Sequence, residues 1–242
     1  MKLLLLAKVG AVLREICAAP KPLSLKELAE KLKLPLPTLS RICNDLAEMK
    51  YLEKTSYHHF APSLTLVSMG FHAVRLSPFA TTAEDIIRKY SLESGLNGMF
   101  SGYDYGGFYQ ICSCSSGSSD SNICRRSGAY VALLSLLDIS MEKAWFKALN
   151  MFPDLSDVEK NAFEREFEQL KHSKCLMRIG IMRQWFITVP FRHNGNVFAL
   201  TYYGTGRKDK DVDSVSRDII QVGARICSAW DRLSFDEGVS SK

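Results

Sequence analysis

The chain has 242 residues, of which 46% are hydrophobic and 24% charged, as in a globular protein of one or two domains. No run approaches the roughly 20 apolar residues of a membrane-spanning helix, so we expect no membrane contact. The apolar run Leu3–Ala7 is shorter than the roughly 7–15 residues of a secretory signal. Seven cysteines, an odd number, favour reduced thiols, and we expect a cytoplasmic protein.

The net charge of +5 is concentrated at the N-terminus. Residues 1–62 contain ten Lys or Arg against six Asp or Glu, whereas residues 63–242 contain twenty-one against twenty. A solvated basic surface has this composition, and so does a small domain that neutralises phosphates. Residues 1–62 are therefore the first place to look for nucleic-acid binding.

Two helices are predicted at the start of this segment. Apolar residues recur at three- and four-residue spacing over residues 3–18, which predicts an amphipathic helix. Ser24 followed by Glu27 is a capping-box pattern, in which each side chain satisfies a backbone N–H at the helix start. A second helix is therefore expected from Ser24 to about Lys33.

A third helix is predicted from Pro37 to about Lys50, because proline is tolerated in a first helical turn but not in the interior. Its inner face is expected to be apolar: Leu39, Ile42, Cys43, Leu46 and Met49. Its outer face is polar: Thr38, Ser40, Arg41, Asn44 and Glu48. Two helices joined by a short turn form a helix-turn-helix, whose second helix enters the major groove. Because these side-chain types bind base edges and phosphates, we expect DNA contacts from Thr38, Ser40, Arg41 and Asn44.

A β-hairpin is predicted after the third helix. A strand from Tyr51, a tip at Thr55–His59 and a return strand from Phe60 would form the wing of a winged helix. Three side chains of the hairpin are candidates for phosphate contacts: Lys54, His58 and His59. The alternative is that they are ordinary exposed residues, and that the winged helix contacts a protein instead of DNA.

Taken in this order, residues 3–70 resemble the IclR family of bacterial transcription regulators. The resemblance rests on Leu-Ser-Leu-x-Glu-Leu-Ala at 23–29, Leu-Pro-x-x-Thr-Leu-x-Arg at 34–41, Leu46, Tyr51–Leu52–Glu53 and Leu64–Gly70. The family commonly has a Lys-Ser pair where this chain has Leu36 and Pro37. The DNA-facing surface therefore lacks one basic group and one hydroxyl.

The resemblance extends more weakly over nearly the whole chain and implies an α+β fold. It implies a winged helix-turn-helix DNA-binding domain at 1–62, a linker helix at 63–78, and a GAF-like effector-binding and dimerisation domain at 79–242. The last would be an antiparallel sheet flanked by helices. The patterns predict helices at 81–94, 129–149, Ser156–His172 and from Val212, two strands joined near Asp104–Gly107, and three strands within 175–203 with a turn at His193–Gly195.

The family's ligand-pocket motif is poorly matched. Where the family continues into a Thr-Ala-x-Gly helix start, this chain has Gly128 followed by AYVALLSLLD. The ligand is then more hydrophobic than usual, or the pocket has lost its role. Four residues remain as effector-binding candidates: Arg126, Gly128, Tyr130 and Trp185. Each has the alternative role of a packing or surface residue.

Three cysteines, Cys112, Cys114 and Cys124, lie close together around a Ser/Gly-rich tract. Their spacing lacks the four ligands and the paired Cys-x₂₋₄-Cys pattern of zinc and iron–sulfur sites, so we expect no metal and no other cofactor. In a strand, Cys112 and Cys114 would share a face. Arg125 and Arg126 beside Cys124 would lower its thiol pKa, which leaves a redox-sensing role open.

No nucleotide-binding loop, nucleophile elbow or metalloprotease motif is present, so the sequence proposes no enzyme activity. We expect a transcription regulator that binds double-stranded DNA as a homodimer or dimer of dimers and senses a small-molecule effector. Two alternatives are a regulator with a cysteine-based metal or redox sensor, and a winged-helix protein-interaction module without DNA binding.

Overall fold

A computed structural model describes residues 2–19, 21–104, 107–114, 123–180, 183–205 and 212–239. The chain divides into two compact units, residues 1–73 and 74–242. Among the described helices, none is both long and apolar enough to cross a lipid bilayer.

The first unit is a winged helix-turn-helix. Its elements are α1 (Lys2–Cys17), β1 (Leu23–Ser24), α2 (Leu25–Leu32), α3 (Leu36–Glu48), β2 (Leu52–Ser56), β3 (His59–Pro62) and the start of α4 (Leu64–Leu76). The strands form an antiparallel sheet in the order β1-β3-β2. The three predicted helices and the hairpin are confirmed. The strand β1 is not foreseeable from the sequence, since it has two residues and exists only through its pairing with β3.

Ser24 joins three of these elements. It pairs with His59 of β3, and its hydroxyl accepts a hydrogen bond from the N–H of Glu27 at 3.2 Å. The Glu27 carboxylate in turn accepts from the N–H of Ser24 at 2.7 Å, which completes the predicted capping box. These bonds to Ser24 hold the pKa of Glu27 below its usual value. The start of α2 is thereby tied to the wing.

The inner face of α3 is the centre of the first core. Leu39, Ile42, Cys43 and Leu46 are buried among residues of α1, α2 and β3, as the sequence predicts. Met49 was also expected inside, and this expectation is wrong because Met49 is 62% exposed. Met49 still makes the helical bond from its N–H to the carbonyl oxygen of Asp45, but its side chain borders an open groove between α1, α3 and α4 and is not covered there.

The second unit is a five-stranded antiparallel sheet flanked by helices. Its elements are α5 (Pro78–Ser94), β4 (Asn97–Asp104), β5 (Gly107–Cys114), α6 (Ile123–Ser127), α7 (Ala129–Ser135), α8 (Met141–Met151), α9 (Asp157–His172), β6 (Leu176–Ile179), β7 (Gln184–His193), β8 (Asn196–Thr205) and α10 (Val212–Val239). The strand order is β5-β4-β8-β7-β6. The predicted α+β class is confirmed, as is the turn at Asn194–Gly195, where both residues have positive φ.

Each face of this sheet carries its own core. Neighbouring residues of a strand point to opposite faces, so Met99 of β4 joins the helices α7, α8 and α9, whereas Phe100 joins α5 and α10. We call these two clusters the α7 core and the α10 core. Two hydroxyls, of Thr188 and Thr201, are fully buried in the sheet and satisfy each other at 2.9 Å.

The helix predicted over residues 129–149 is wrong as a single element. It is two helices, α7 and α8, separated after Ser135. Ser140 lies in extended conformation, and its hydroxyl accepts from the N–H of Lys143, so it caps a new helix. Apolar periodicity continues across the break because both helices contribute to the α7 core, and periodicity alone does not detect a cap.

Candidate nucleic-acid interface

The outer face of α3 presents two long polar side chains to solvent. Arg41 and Asn44 are exposed, and Nε of Arg41 lies 3.9 Å from Oδ2 of Asp45, which is too long to hold the guanidinium firmly. The amide of Asn44 lies 3.5 Å from the hydroxyl of Ser40. Arg41 and Asn44 are therefore available to a ligand that approaches this face.

Thr38 and Ser40 lie at opposite edges of the same face. A helix turns by roughly 100° per residue, so a two-residue step places them about 160° apart. Both are half-buried. Thr38 borders a groove with α1, and Ser40 borders the wing. The four predicted contact residues of α3 thus span the whole width of the face, with Arg41 and Asn44 at its centre.

The three candidate residues of the wing differ in their exposure to solvent. Lys54 is exposed on β2, and the turn is confined to Tyr57 and His58, so the predicted five-residue tip is too long. His58 is exposed and has a positive φ of 60°. His59 is half-buried on β3, with Nδ1 3.0 Å from the carbonyl oxygen of Tyr57. Lys54 and His58 are the two that face solvent freely.

A hollow of about 460 Å³ lies between the starts of α2 and α3 and the wing turn. We call it the wing hollow. Its lining residues are Ser24, Leu25, Lys26, Leu36, Pro37, Ser40, His58 and His59. The sequence analysis noted Leu36 and Pro37 as departures from the family pattern, but not that they form the apolar wall of a hollow.

A second depression of this unit is a groove of about 600 Å³ between α1, α3 and the start of α4. Apolar side chains dominate it, and several are more than half exposed: Leu5, Leu6, Met49 and Met69. The helix α4 has no buried residue, and Leu64, Val67 and Phe71 are also largely exposed. Such a continuous apolar surface is typical of an interface between proteins.

Three of the effector-binding candidates of the second unit, Arg126, Gly128 and Tyr130, lie around Arg178, whereas Trp185 lies on the other side of the sheet. Tyr130 is 2% exposed in the α7 core, and Trp185 is 7% exposed in the α10 core, on the other side of the sheet. Gly128 has a φ of 74°, and a Cβ there would come within 2.7 Å of Nε of Arg178. The guanidinium of Arg126 lies 5.8 Å from the ring centre of Phe186. The role of the four candidates in binding an effector stays a prediction.

An open cavity of about 580 Å³ lies elsewhere in this unit, and the sequence analysis missed it. Its floor is apolar and comes from β7 and α10, including Val189, Phe191 and Ile220. Its rim comes from the end of α9 and the following loop, with Lys171, His172, Ser173 and Lys174. Residues so distant in sequence give no local signal of a common site.

The three neighbouring cysteines are separated by the sheet. Cys112 and Cys114 share the face of the α10 core, as predicted for a strand, whereas Cys124 is buried in the α7 core. The Ser/Gly tract at 115–122 lies outside the described residues. Within the part of the chain that the structure describes, no three or more His, Cys, Asp or Glu residues group as a metal site.

The expected lowering of the Cys124 pKa by its neighbouring arginines is wrong. Burial raises the pKa of Cys124, and it raises that of Cys112 to about 12. Arg125 is engaged elsewhere, because its guanidinium donates to Glu159 at 2.9 Å and to Asp154 at 2.8 Å. Both thiols are therefore protonated and unreactive at neutral pH.

Comparison with known proteins shows what the chain is similar to. Residues 5–56 match the profile of the IclR helix-turn-helix domain. No curated protein matches the chain significantly. An IclR family transcriptional regulator from Brucella abortus is 18% identical with a TM-score of 0.62, over 93% of this chain and 92% of that one. An IclR homolog from Microbacterium hydrocarbonoxydans in complex with 4-hydroxybenzoate is 16% identical with a TM-score of 0.51, over 93% and 98%.

The chain thus combines a winged helix-turn-helix with an antiparallel sheet that has helices on both faces. The resemblance to one family is confirmed: the N-terminal unit carries an IclR helix-turn-helix domain, and the chain has the fold of IclR family transcriptional regulators. At these identities the similarity to solved structures establishes the fold.

Because both thiols are buried and their pKa values are raised, we predict that Cys112 and Cys124 react slowly with alkylating reagents. At pH 7.5 the native protein should alkylate Cys112 and Cys124 with iodoacetamide at least tenfold more slowly than the unfolded chain, because both thiols are buried and protonated. Mass spectrometry of peptides after timed alkylation measures this. Rapid native modification of Cys124 would instead favour the redox-sensor alternative, and the exposed Cys17 provides the internal comparison.

Proposed function

We propose that this protein is a transcription regulator that binds double-stranded DNA through the outer face of α3. The observation that carries the proposal is the exposed pair Arg41 and Asn44 at the centre of that face, within a domain that matches the IclR helix-turn-helix profile. Arginine binds guanine bidentately and asparagine binds adenine in the same way. We propose further that the protein is not an enzyme and that it acts in the cytoplasm.

In this arrangement the other candidate residues have supporting roles. Thr38 and Ser40 would contact bases or phosphates at the two edges of α3. Lys54 and His58 of the wing would contact the phosphate backbone, and His59 would do so less directly because it is half-buried. Phosphate contacts orient the protein, whereas base contacts select the sequence.

Replacing Arg41 tests this proposal. Arg41→Ala should weaken binding to the preferred duplex about 5- to 150-fold, since a bidentate base contact contributes about 1–3 kcal/mol of discrimination. Binding to random duplex should change much less. Fluorescence anisotropy with the DNA upstream of the protein's own gene, at several salt concentrations, measures both affinities.

Lys31→Ala is the matched control. It removes one positive charge from the same unit. Lys31 belongs to α2 and not to the outer face of α3, and its ammonium group is paired with the carboxylate of Glu15 in α1 at 3.2 Å. Equal losses for the two variants would mean that only net charge matters. Weak binding of all sequences, indifferent to Arg41, would favour the protein-interaction alternative.

We also propose that the chain forms a homodimer, with dimer of dimers as the larger assembly, through the apolar surface of α1 and α4. A dimer presents one α3 to each half-site of an operator, which is how helix-turn-helix proteins read palindromic DNA. The support is the exposure of Val67 and Leu64 on a helix without buried residues, next to the exposed Leu5 and Leu6.

Val67→Lys should weaken this dimer at least tenfold, because a lysine side chain would be desolvated in an apolar interface. Sedimentation velocity over a concentration series measures the dissociation constant. Val158→Lys, at an equally exposed valine of α9, is the control and should leave the constant unchanged. A dimer insensitive to Val67→Lys would place the interface elsewhere.

For the second unit we propose a small-molecule effector site in the cavity between β7, α10 and the end of α9. Its apolar floor and its rim of Lys171, His172 and Lys174 suit a partly apolar carboxylate. The solved homolog in complex with 4-hydroxybenzoate is a protein of similar fold that binds such a compound. The effector would act by favouring one arrangement of the two recognition helices.

A panel of small carboxylates that includes 4-hydroxybenzoate tests this site. At a concentration about 100-fold above the Kd, a ligand should stabilise the native protein by about 2.7 kcal/mol and raise its Tm measurably. Gly223→Leu should abolish the rise, since a side chain at this helical glycine of the cavity wall would occupy the space beside Phe191. A rise retained in Gly223→Leu would locate the ligand at another site.

A further inference from the structure

The wing hollow is apolar although it lies beside the polar face of α3. Leu36 is 44% exposed, and Pro37 beside it is exposed as well. Neither side chain can donate or accept a hydrogen bond, and proline also lacks a backbone N–H. The side chains at positions 36 and 37, in the first turn of α3, therefore offer a ligand only van der Waals and hydrophobic contact.

The remaining lining residues connect the hollow to the proposed DNA interface. Ser40 belongs to the face of α3, His58 and His59 belong to the wing, and Lys26 is exposed at the start of α2. The wall on the wing side is held in place, because the N–H of Leu25 donates to the carbonyl oxygen of His58 at 3.2 Å. Any duplex bound by both α3 and the wing also covers this hollow.

The chemistry of the hollow indicates what it contacts in a duplex. Phosphates and sugars are polar and charged and gain nothing from leucine and proline. In the major groove the apolar group that base pairs present is the C5-methyl group of thymine. Lys26 is the charged residue among the lining residues, and none of them is acidic, so the surroundings favour a negatively charged partner, as DNA is, over a neutral or basic one.

We propose that Leu36 and Pro37 contact the C5-methyl group of a thymine, so that the start of α3 selects T over other bases by hydrophobic contact. The inference rests on the proposed DNA-binding function and adds a base preference to it. The apolar pair would thus add hydrophobic selection of one base to the hydrogen-bonding contacts proposed for the rest of the face.

Uracil substitution tests the proposal, because uracil differs from thymine only by the missing methyl group. Duplexes are first selected from a random library by binding to the full-length protein. Each thymine of the selected site is then replaced singly by uracil, and affinities are compared by fluorescence anisotropy. At one position or more, the wild type should lose about fourfold in affinity, the value of burying one methyl-sized group.

Leu36→Ala/Pro37→Ala is the decisive variant. It should bind the thymine and uracil duplexes equally, at about the affinity of the wild type for uracil. Alanine favours helix, so α3 should form, and circular dichroism checks that it does. Leu92→Ala is the matched control, since it shortens an exposed leucine of α5 in the second unit, outside the proposed interfaces, and it should retain the fourfold preference.

Three other outcomes would overturn either this proposal or the proposed DNA-binding function. Equal binding of thymine and uracil duplexes by the wild type would overturn the proposal while leaving DNA binding intact, and this comparison needs no variant. A fourfold preference that persists in Leu36→Ala/Pro37→Ala would assign the methyl contact to another residue and overturn it too. Failure to select any duplex over random DNA would overturn the proposed function itself.

Discussion

The geometry of the proposed interface depends on the bonds around Ser24. One residue is the end of β1, the N-cap of α2 and a partner of the Glu27 carboxylate. The wing strands contribute Leu52 and Phe60 to the first core, and the N–H of Tyr51 donates to the carbonyl oxygen of Leu46 at 2.9 Å, so the base of the wing is joined to α3. The Ser24 bonds and the hydrogen bond from Leu25 to His58 add a connection from the wing turn to the start of α2, which gives the hollow a defined width.

The helix α3 combines a polar outer face with an exposed apolar first turn. In the proposed interface, Arg41 and Asn44 would bind guanine and adenine by hydrogen bonds, whereas Leu36 and Pro37 would contact a thymine methyl group. The two modes differ in their dependence on salt and water, because hydrophobic contact releases no counterions. The affinity contributed by Leu36 and Pro37 would therefore depend on the base sequence and not on the salt concentration.

The five-stranded sheet determines what the second unit can do. Its two faces are packed by separate cores, so residues that are neighbours in sequence are separated in space. Cys112 and Cys124 are an example: they lie on opposite sides of the sheet, and burial keeps both protonated. The α7 core is closed by Tyr130 and by the ion pair of Arg178 with Glu166. The open volume of this unit is instead at the junction of β7, α10 and the end of α9.

The sequence by itself determined the local features of this protein. Capping boxes at Ser24 and Ser156, the proline-started α3 and the Asn194–Gly195 turn depend on neighbouring residues, and the structure contains all of them. Only the tertiary structure decided which residues share a site. The wing hollow, the cavity beside α10 and the separation of Tyr130 from Trp185 all depend on strand pairing between distant segments. Such contacts leave no periodicity or spacing in the sequence, because each partner looks like an ordinary core or surface residue.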